Sequence, residues 1–310
     1  MKRFRSYSDY LKDIFGTSVQ KLPIDAGFSC PNRDGSISTG GCAFCNNSAF
    51  TASYCDPALS VTDQLARGVA FHKARGRDSE RFLAYFQSFS NTHAPIERLR
   101  SLYEEALSFP GVVGIVIATR PDCVDERKLD YLSELARDAY VLVEYGVESC
   151  NDDVLASLGR GHDFATSLRA LEMTLGRGIR AGAHLVLGLP GESRAQMLDG
   201  VSVLSGFSLD TLKLHQLQIL EGTRYAFQYS ENPETFDLFG AEEYVAFVAE
   251  ALRRMRPETV LERFVNEVPP RYLIAPRWGG MKGDHLWKLL EKRMAEEGFF
   301  QGDLSTKKCQ

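Results

Sequence analysis

The stretch VVGIVIAT, residues 112–119, indicates the fold of this chain of 310 residues. It is rich in valine and isoleucine and has no polar side chain before its last position. A run of this kind is typical of a strand that is buried on both faces, as in a parallel sheet covered by helices. A second such run, HLVLGL, spans residues 184–189. The two runs predict an α/β protein.

Further strand-like and helix-like runs alternate on either side of this stretch. We predict strands at 22–28, 81–86, 112–119, 139–146, 180–187 and 211–217, and helices at 60–75, 95–109, 125–137, 164–177 and 193–204, after a lead-in helix within 1–19. Six β/α units in series predict a parallel sheet with right-handed crossovers. Both an open doubly wound sheet and a barrel fit this alternation.

Polar side chains collect at the carboxyl ends of the predicted strands. They are Gln87, Ser90 and Asn91, then Thr119 and Arg120, Glu144 and Glu148, His184, and finally His215 and Gln216. Parallel α/β folds place their sites at this edge, and in a barrel the strand ends converge on one mouth. We therefore expect one pocket that is built from several strands.

Three cysteines follow the first predicted strand in CPNRDGSISTGGCAFC, residues 30–45. Cys42 and Cys45 lie one tight turn apart, and Cys30 joins them across a loop rich in turn-forming residues. Three thiolates suit a [4Fe–4S] cluster that keeps one iron free of protein ligands. Zinc is the alternative, with Cys55 as a fourth ligand that closes a tetrahedral site. The spacing alone leaves both metals open.

Composition sets broad limits on the class of protein. The chain is 44% apolar and 25% charged, and it has no apolar run of about 18 residues that would suggest a membrane span. Its amino terminus has no apolar segment of the signal-peptide type, so we expect a cytoplasmic protein whose clustered cysteines bind metal. The net charge of −5 gives no global attraction to nucleic acid, although basic residues recur in the tail: Arg253, Arg254, Arg256, Arg263, Arg271, Arg277 and Lys282.

The character of the sequence changes near Glu221. A loop follows, then a helix at 242–255, a strand at 260–264, a Pro/Arg-rich segment and a last helix from about residue 284. We predict a core barrel over residues 1–220 and an extension packed on it over residues 221–310.

Several segments in order resemble radical S-adenosylmethionine (SAM) enzymes. Besides the cysteine loop, they are YFQSFSNTHAP (85–95), ATRPDC (118–123), VEYGVES (143–149), LGRGH (158–162), HLVLGLPGE (184–192) and LKLHQLQILEGT (212–223). The long first gap between cysteines resembles the YhcC/YtqA-type subgroup. The tail LERFVNEVPPRYLIAPRW (261–278) is similar to radical SAM proteins related to the Elongator catalytic subunit.

This resemblance covers almost the whole chain and implies a partial (β/α)6 TIM-like barrel with an α/β extension at its carboxyl terminus. It implies a [4Fe–4S] cluster whose open iron binds SAM, and reductive cleavage to a 5′-deoxyadenosyl radical that abstracts hydrogen from a substrate. The implied partners are an electron donor such as flavodoxin or ferredoxin and, from the Elongator-like tail, tRNA. The enzyme class, transferase or oxidoreductase, stays open. The alternatives are a small metabolite or a protein as substrate, or a zinc-stabilised binding module without catalysis.

The resemblance also implies metal-binding and cofactor-binding roles for individual residues. It does not indicate a catalytic side chain. Cys30, Cys42 and Cys45 are assigned to iron. Phe44 would shield the cluster near adenine, unless it only packs. Gln87 and Ser90 replace the family's usual Gly-Gly-Glu segment and are the candidates for the SAM amino group.

Four further positions are assigned to the cofactor by the same resemblance. Glu148 would accept hydrogen bonds from the ribose hydroxyls, and Arg160 would pair with the SAM carboxylate if it is not simply a surface residue. His184 would point into the barrel, as a cofactor contact or as a core residue with an internal hydrogen bond. The loop that contains Leu189 would pass close to adenine.

Overall fold

The computed structural model describes residues 2–305, so that Cys309 and the end of the predicted extension lie outside it. The helices in this range are α1 (Tyr7–Phe15), α2 (Val61–Lys73), α3 (Ile96–Ser108), α4 (Glu126–Leu135), α5 (Asp152–Leu158), α6 (Phe164–Leu175), α7 (Arg194–Leu204), α8 (Arg224–Glu231), α9 (Ala241–Arg254) and α10 (Gly283–Glu296). The strands are β1 (Val19–Ile24), β2 (Arg81–Phe86), β3 (Val112–Thr119), β4 (Tyr140–Glu148), β5 (Arg180–Leu187), β6 (Thr211–Gln216), β7 (Ile219–Leu220), β8 (Val260–Arg263) and β9 (Leu273–Ala275).

Seven of these strands form one parallel sheet in the order β1-β2-β3-β4-β5-β6-β8. Consecutive strands are neighbours, with a helix between them, as repeated right-handed β/α crossovers require. Strands β7 and β9 form a separate antiparallel pair. In the part of the chain that the structure describes, no helix has the length and apolar character needed to cross a bilayer.

The sheet is curled into a partial barrel. In a flat sheet, β1 and β8 would be about 29 Å apart, because neighbouring strands are about 4.8 Å apart. Yet the ammonium of Lys21 on β1 lies 2.5 Å from a carboxylate oxygen of Glu262 on β8, and Ser6 forms a parallel bridge with Leu261. The concave face therefore encloses an interior, which confirms the predicted partial barrel.

Helix α1 closes one end of this interior. Its Tyr10 and Leu11 pack with the inward side chains Leu83, Tyr85 and Leu142. Leu83 and Leu142 come from the first halves of their strands, and Tyr85 lies nearer the carboxyl end of β2. At the opposite end, where the strands terminate at their carboxyl ends, loops surround the opening.

The structure contains elements that the sequence did not predict. Helix α8 lies in the segment predicted as a loop after Glu221, and helix α5 and the β7–β9 pair lie in segments for which no element was predicted. Strand β8, predicted within the extension, joins the main sheet beside β6. The division of the chain near residue 220 stays a prediction.

Candidate active site

A cavity opens where the strands of the sheet end at their carboxyl termini. It encloses about 1280 Å³ of empty space, its open mouth included. The predicted site residues that line it are Cys30, Cys42, Cys45, Phe44, Gln87, Ser90, Glu148, Arg160 and His184. These residues come from five separate segments of the chain, so the curl of the sheet brings them together.

The loop between β1 and α2 carries the three cysteines. The N–H of Cys45 donates to the carbonyl of Cys42 at 3.0 Å, which closes the tight turn between them. The backbone of Ala43 ties the loop to the rest of the protein, since its N–H donates to Leu158 of α5 and its carbonyl accepts from Tyr225 of α8, both at 3.0 Å. The two helices missed from the sequence thus hold the cysteine loop in place.

Arginine side chains lie beside the cysteines. Arg33 donates to the carbonyl of Cys45 at 2.9 Å, and Arg160 donates to the sulfur of Cys42 at 3.6 Å. Gly41, before Cys42, has a φ of +71°, and a Cβ there would lie 3.0 Å from the Arg33 guanidinium, so that a side chain would require this guanidinium to move. Burial raises the pKa of the Cys45 thiol, and Arg33 opposes that rise. Cationic groups near the sulfurs favour thiolates, the form that binds metal.

Cys55 lies apart from the other three. It does not line the cavity, and its thiol donates to the carbonyl of Pro23 at 3.2 Å. Burial raises its pKa to about 12, so that it remains a thiol at neutral pH. Within residues 2–305, no group of three or more histidine, cysteine or carboxylate side chains is arranged around one metal-ion position. These contacts speak against the tetrahedral zinc alternative.

Glu148 and Arg160 meet at the end of β4. Arg160 is only 5% exposed, so it is not a surface residue, and its guanidinium lies 3.4 Å from the Glu148 carboxylate. Burial opposes the charge on Arg160, but Cys42 and Glu148 outweigh it and raise the pKa of the guanidinium. The pKa of Glu148 is raised by burial, against the influence of Arg160. A buried ion pair thus lies beside the cysteine loop.

The backbone at this point departs from regular strand geometry. A bulge between Gly146 and Glu148 shifts the register with β5, and Glu148 has a φ of +68°. Left-handed backbone at a residue other than glycine costs roughly 1–3 kcal/mol and is concentrated at functional sites. A Cβ at Gly146 would lie 2.4 Å from the Glu148 carboxylate. The bulge therefore directs the Glu148 carboxylate toward Arg160.

The loop after β2 contributes Gln87 and Ser90. Asn91, whose role was undefined from the sequence, is fully buried and donates to the carbonyls of Phe86 and Ala118 at 3.0 and 2.8 Å. His93 lies 2.8 Å from Asp34 and links this loop to the cysteine loop. The Ser90 hydroxyl is buried at the cavity wall without a partner in residues 2–305. A polar ligand could supply its missing hydrogen bond.

A network of charged side chains lies on the interior side of the cavity. Glu144 contacts both lysines of the network, Lys21 at 2.9 Å and Lys213 at 2.5 Å. Lys213 also lies 2.9 Å from Glu262. Burial opposes the charge of Glu144, but the two lysines hold its pKa well below its usual range. Two lysines balance two glutamates, so the network is neutral as a whole.

His184 lies above this network, with its Nε2 3.2 Å from Glu144. Its pKa is lowered to about 4, by burial first and then by Lys213, so its ring is neutral near pH 7. The ring centre of His215 is 5.8 Å from that of His184, and burial and Arg263 lower its pKa as well. His184 thus has an internal partner and also faces the cavity.

Leu189, which the resemblance places near adenine, and Cys150, which has no predicted role, do not line the cavity. Leu189 follows the turn at Gly188. Its buried side chain packs in an apolar cluster with Ala43, Val154 and Leu155. Its predicted backbone contact with adenine stays a prediction. Cys150 donates to the carbonyl of Gly200 at 3.7 Å and does not line the cavity.

The basic tail residues do not form one surface patch. Arg253 and Arg254 pair with Glu250, and Arg256 pairs with Glu258. Arg263 points into the cavity instead. Trp278, in the same tail, packs on Tyr244 and donates its Nε1–H to the carbonyl of Phe239 at 2.8 Å.

Arg120 lines the cavity at the carboxyl end of β3, where the sequence predicted a polar pocket residue. It is paired in a bidentate manner with Asp122 at 2.8 and 2.7 Å and donates to the carbonyl of Arg160 at 2.7 Å. Arg263 also lines the cavity, and no motif in the sequence predicted its inward position.

The residues at the mouth fit a cubane cluster better than a single ion. In such a cluster each thiolate binds a different iron, so the three sulfurs need not surround one point. The cysteine loop is fixed by backbone hydrogen bonds and flanked by guanidinium groups. Near it, Ser90 Oγ and Arg160 Nε are buried without partners in residues 2–305, as expected of groups that contact a polar cofactor.

A half-barrel with three cysteines at the carboxyl ends of its strands is the architecture of a SAM-dependent iron–sulfur enzyme. The profile of the Radical SAM superfamily matches residues 34–202, and that of the Radical_SAM C-terminal domain matches residues 209–296. The chain belongs to the radical SAM superfamily. Its members bind a [4Fe–4S] cluster and SAM, and the predicted cofactors are confirmed as those of the family.

Two full-length relatives place the chain within the predicted subgroup. It is 35% identical over 306 residues to the uncharacterized protein YtqA of Bacillus subtilis, covering 97% of this chain and 92% of the relative. It is 36% identical over 266 residues to protein YhcC of Escherichia coli, covering 85% and 84%.

More distant matches include proteins of the Elongator type. A tRNA uridine(34) acetyltransferase from Methanocaldococcus infernus is 24% identical over 189 residues, covering 60% of this chain and 34% of the relative. The solved structure of Elp3 from the same organism, with an N-terminal deletion, superposes with a TM-score of 0.69 and 17% identity. It covers 91% of this chain and 64% of that chain, and it supports the fold.

Proposed function

We propose that this protein is a radical SAM enzyme that modifies tRNA. The observation that carries the proposal is the shared cavity, in which three cysteines, the Glu148–Arg160 pair and the polar floor of the barrel face one another. When bound, the reduced cluster and SAM supply a 5′-deoxyadenosyl radical that abstracts a hydrogen atom from the substrate. The protein supplies position and shields the site from water.

The proposed roles of the side chains follow from their places in the cavity. Cys30, Cys42 and Cys45 hold the cluster and leave one iron for SAM. Arg160 binds the SAM carboxylate with a planar fork, and Glu148 accepts from the ribose hydroxyls.

Gln87 and Ser90 are proposed to accept from the SAM amino group, and Phe44 to cover adenine. His184 is neutral at pH 7 and can donate or accept a hydrogen bond at the inner side of the bound cofactor. We further propose that a partner such as flavodoxin or ferredoxin supplies the electron. We also propose that the protein is cytoplasmic, where thiols stay reduced.

The tRNA substrate is supported by the relative that is named as a tRNA uridine(34) acetyltransferase. The net charge of −5 means that contacts to phosphate would have to be local. Exposed Arg271, Arg277 and Lys282 lie together in sequence beyond β8 and can supply them.

A matched pair of cysteine variants tests the cluster. After anaerobic reconstitution, we expect the parent to hold about four irons and to release 5′-deoxyadenosine on reduction with SAM. Cys42→Ala should lose the iron, because two thiolates hold a cluster poorly, whereas Cys55→Ala should keep it. A colourless protein with one zinc, lost in Cys55→Ala, would establish the structural zinc site instead.

The substrate needs a separate experiment. The cluster-loaded protein should retain bulk tRNA at low ionic strength and release it as salt rises, since phosphate contacts weaken with salt. Neutralising Arg271, Arg277 and Lys282 together should reduce this retention. If no RNA binds at low salt, the tRNA substrate is excluded, and small-molecule pools should then be screened for SAM-dependent turnover.

A further inference from the structure

Arg263 occupies an unusual position at the end of β8. In a regular strand successive side chains point to opposite faces of the sheet. Here the register between β6 and β8 shifts, so that Lys213 faces Arg263 and Glu262 is the extra residue. As a result Glu262 contacts the interior lysines, and Arg263 also lines the cavity. Bulges of this kind redirect a side chain and are common beside active sites.

The charge of Arg263 is not balanced by the groups around it. The lysines Lys21 and Lys213 are neutralised by Glu144 and Glu262 through contacts of 2.5–2.9 Å. No carboxylate in residues 2–305 lies within ion-pair distance of Arg263. The inner part of the cavity therefore carries one excess positive charge.

Neighbouring hydrogen-bonding groups face the same region without partners. Arg263 Nε and His215 Nε2 are both enclosed, and neither has a hydrogen-bond partner in the described residues. The backbone of Asn266 is fixed through Gln216, with hydrogen bonds of 3.1 Å in both directions, and Asn266 lines the cavity. Enclosed polar groups normally have partners, so these groups indicate a ligand.

We propose that Arg263, together with His215 and Asn266, forms a subsite for an oxyanion of the substrate, a carboxylate or a phosphate group. This proposal rests on the proposed radical SAM function, since it gives the substrate's chemistry at the same cavity. The planar guanidinium pairs with either oxyanion through two parallel hydrogen bonds. The neutral imidazole of His215 and the Asn266 amide can add donors.

The subsite lies apart from the groups proposed for SAM. Arg160 and Glu148 are at the carboxyl end of β4 beside Cys42, whereas Arg263 is at the end of β8, next to the two histidines. Both sets line one cavity. An anionic substrate held by Arg263 would thus face the cofactor within the enclosed interior, and a neutral analogue would leave the guanidinium buried without a partner, at a cost in affinity.

Binding of small oxyanions to the cluster-loaded protein tests the subsite. With SAM present and ionic strength constant, acetate is followed by proton line broadening and inorganic phosphate by phosphorus line broadening. We expect the parent to bind at least one anion and Arg263→Ala to bind it at least about 10-fold more weakly. Arg263→Lys, which keeps the charge but loses the fork, should lie between them. Arg169→Ala, which removes an exposed arginine on α6 that does not line the cavity, should match the parent.

Each outcome has a defined meaning. Tighter binding of acetate assigns a carboxylate substrate, and tighter binding of phosphate assigns a phosphorylated one. Equal anion binding by the parent and Arg263→Ala, or no binding by the parent, overturns the proposal. Weaker SAM binding in Arg263→Ala, measured in the same samples, would assign the guanidinium to the cofactor and also overturn it. Iron content and 5′-deoxyadenosine release report on the proposed function separately.

Discussion

Arg160 is a charged residue at the mouth of the barrel. Arg160 is buried, although it follows a short helix at a position that would suit an exposed residue. Its guanidinium bridges the cysteine loop and the end of β4, through Cys42 and Glu148. A structural arginine normally has all its N–H groups paired, whereas Arg160 Nε has no partner in residues 2–305. This leaves a donor directed at a ligand.

Replacing Arg160 should therefore affect SAM more than iron. We expect Arg160→Ala to keep the cluster but to bind SAM about 10- to 100-fold more weakly, the loss typical of a charge-assisted hydrogen bond of about 1.5–3 kcal/mol. Equilibrium binding of SAM to reconstituted protein, with iron analysis of each sample, measures both effects. Arg169→Ala on α6, whose side chain is 63% exposed, is the control and should behave as the parent. Unchanged SAM affinity in Arg160→Ala would refute the assigned role.

The residue scale also shows a limit of sequence reasoning. A period of two predicts that Glu262 and Arg263 face opposite sides of the sheet. The shift in register at β8 overrides this pattern, and no short motif in the sequence announces it. The cysteines, Glu148 and Arg160 were found because they belong to recognisable segments, whereas the inward position of Arg263 depends on tertiary pairing alone.

Secondary-structure elements were predictable where a strong local pattern coincided with burial. The bounds of β2, β3 and β5 match the prediction, and α2 and α7 begin after Ser60 and Ser193, whose hydroxyls cap them. Helix α5 was missed because it has only 7 residues, although its Asn151 cap was visible in the sequence. Helix α8 was missed because its apolar side chains lie in a segment rich in polar and turn-forming residues.

The loop between β5 and α7 contains a titrating carboxylate. Glu192 accepts a hydrogen bond from Ser149 at 2.7 Å, and burial raises its pKa to about 7. Because the folded-state pKa is above the unfolded value of about 4.3, the contribution of Glu192 to stability is fully present below pH 4 and is lost as pH rises through 7. The loop should thus be less stable at alkaline pH.

Glu192→Gln should remove this pH dependence. At pH 8 we expect the variant to be more stable than the parent by roughly 2 kcal/mol, a value reduced to allow for partial exposure of the group. At pH 4 the two should be equal. Urea unfolding at both pH values measures the difference. Ser149→Ala, which removes a group that lowers the pKa of Glu192, should enlarge the pH dependence; parallel profiles for Glu192→Gln and the parent would contradict the argument.

At the scale of the whole molecule, the sheet is held in its curled form from within. Lys21 on β1 and Glu262 on β8 belong to the two edge strands of the sheet, and their side chains form an ion pair across the interior. Glu144 from the middle of the sheet contacts both Lys21 and Lys213. The alternation of strands and helices predicted a parallel sheet, but it did not decide between an open sheet and a barrel. The contacts that close the barrel join residues more than 200 positions apart, and a local pattern does not reveal them.

Lys21→Met should therefore weaken the molecule as a whole. Removing one partner leaves Glu144 and Glu262 with an uncompensated buried charge, and we expect a loss of about 3–5 kcal/mol in the free energy of unfolding. Lys2→Met is the matched control, because Lys2 pairs with Asp9 at the surface and is 70% exposed, so that its loss should cost less than about 1 kcal/mol. Urea unfolding of both variants gives the comparison.

A double variant separates charge balance from packing. In Lys21→Met with Glu262→Gln, one negative charge is removed together with the lysine, so the Lys213–Glu144 pair that remains of the network is neutral. We expect this protein to recover part of the stability lost in Lys21→Met, because the penalty arises from an unpaired charge rather than from the lost contact. If Lys21→Met alone unfolds at the same urea concentration as the parent, the interior network does not hold the ends of the sheet together, and the curl must be maintained by the apolar packing of α1 against the inward strand residues.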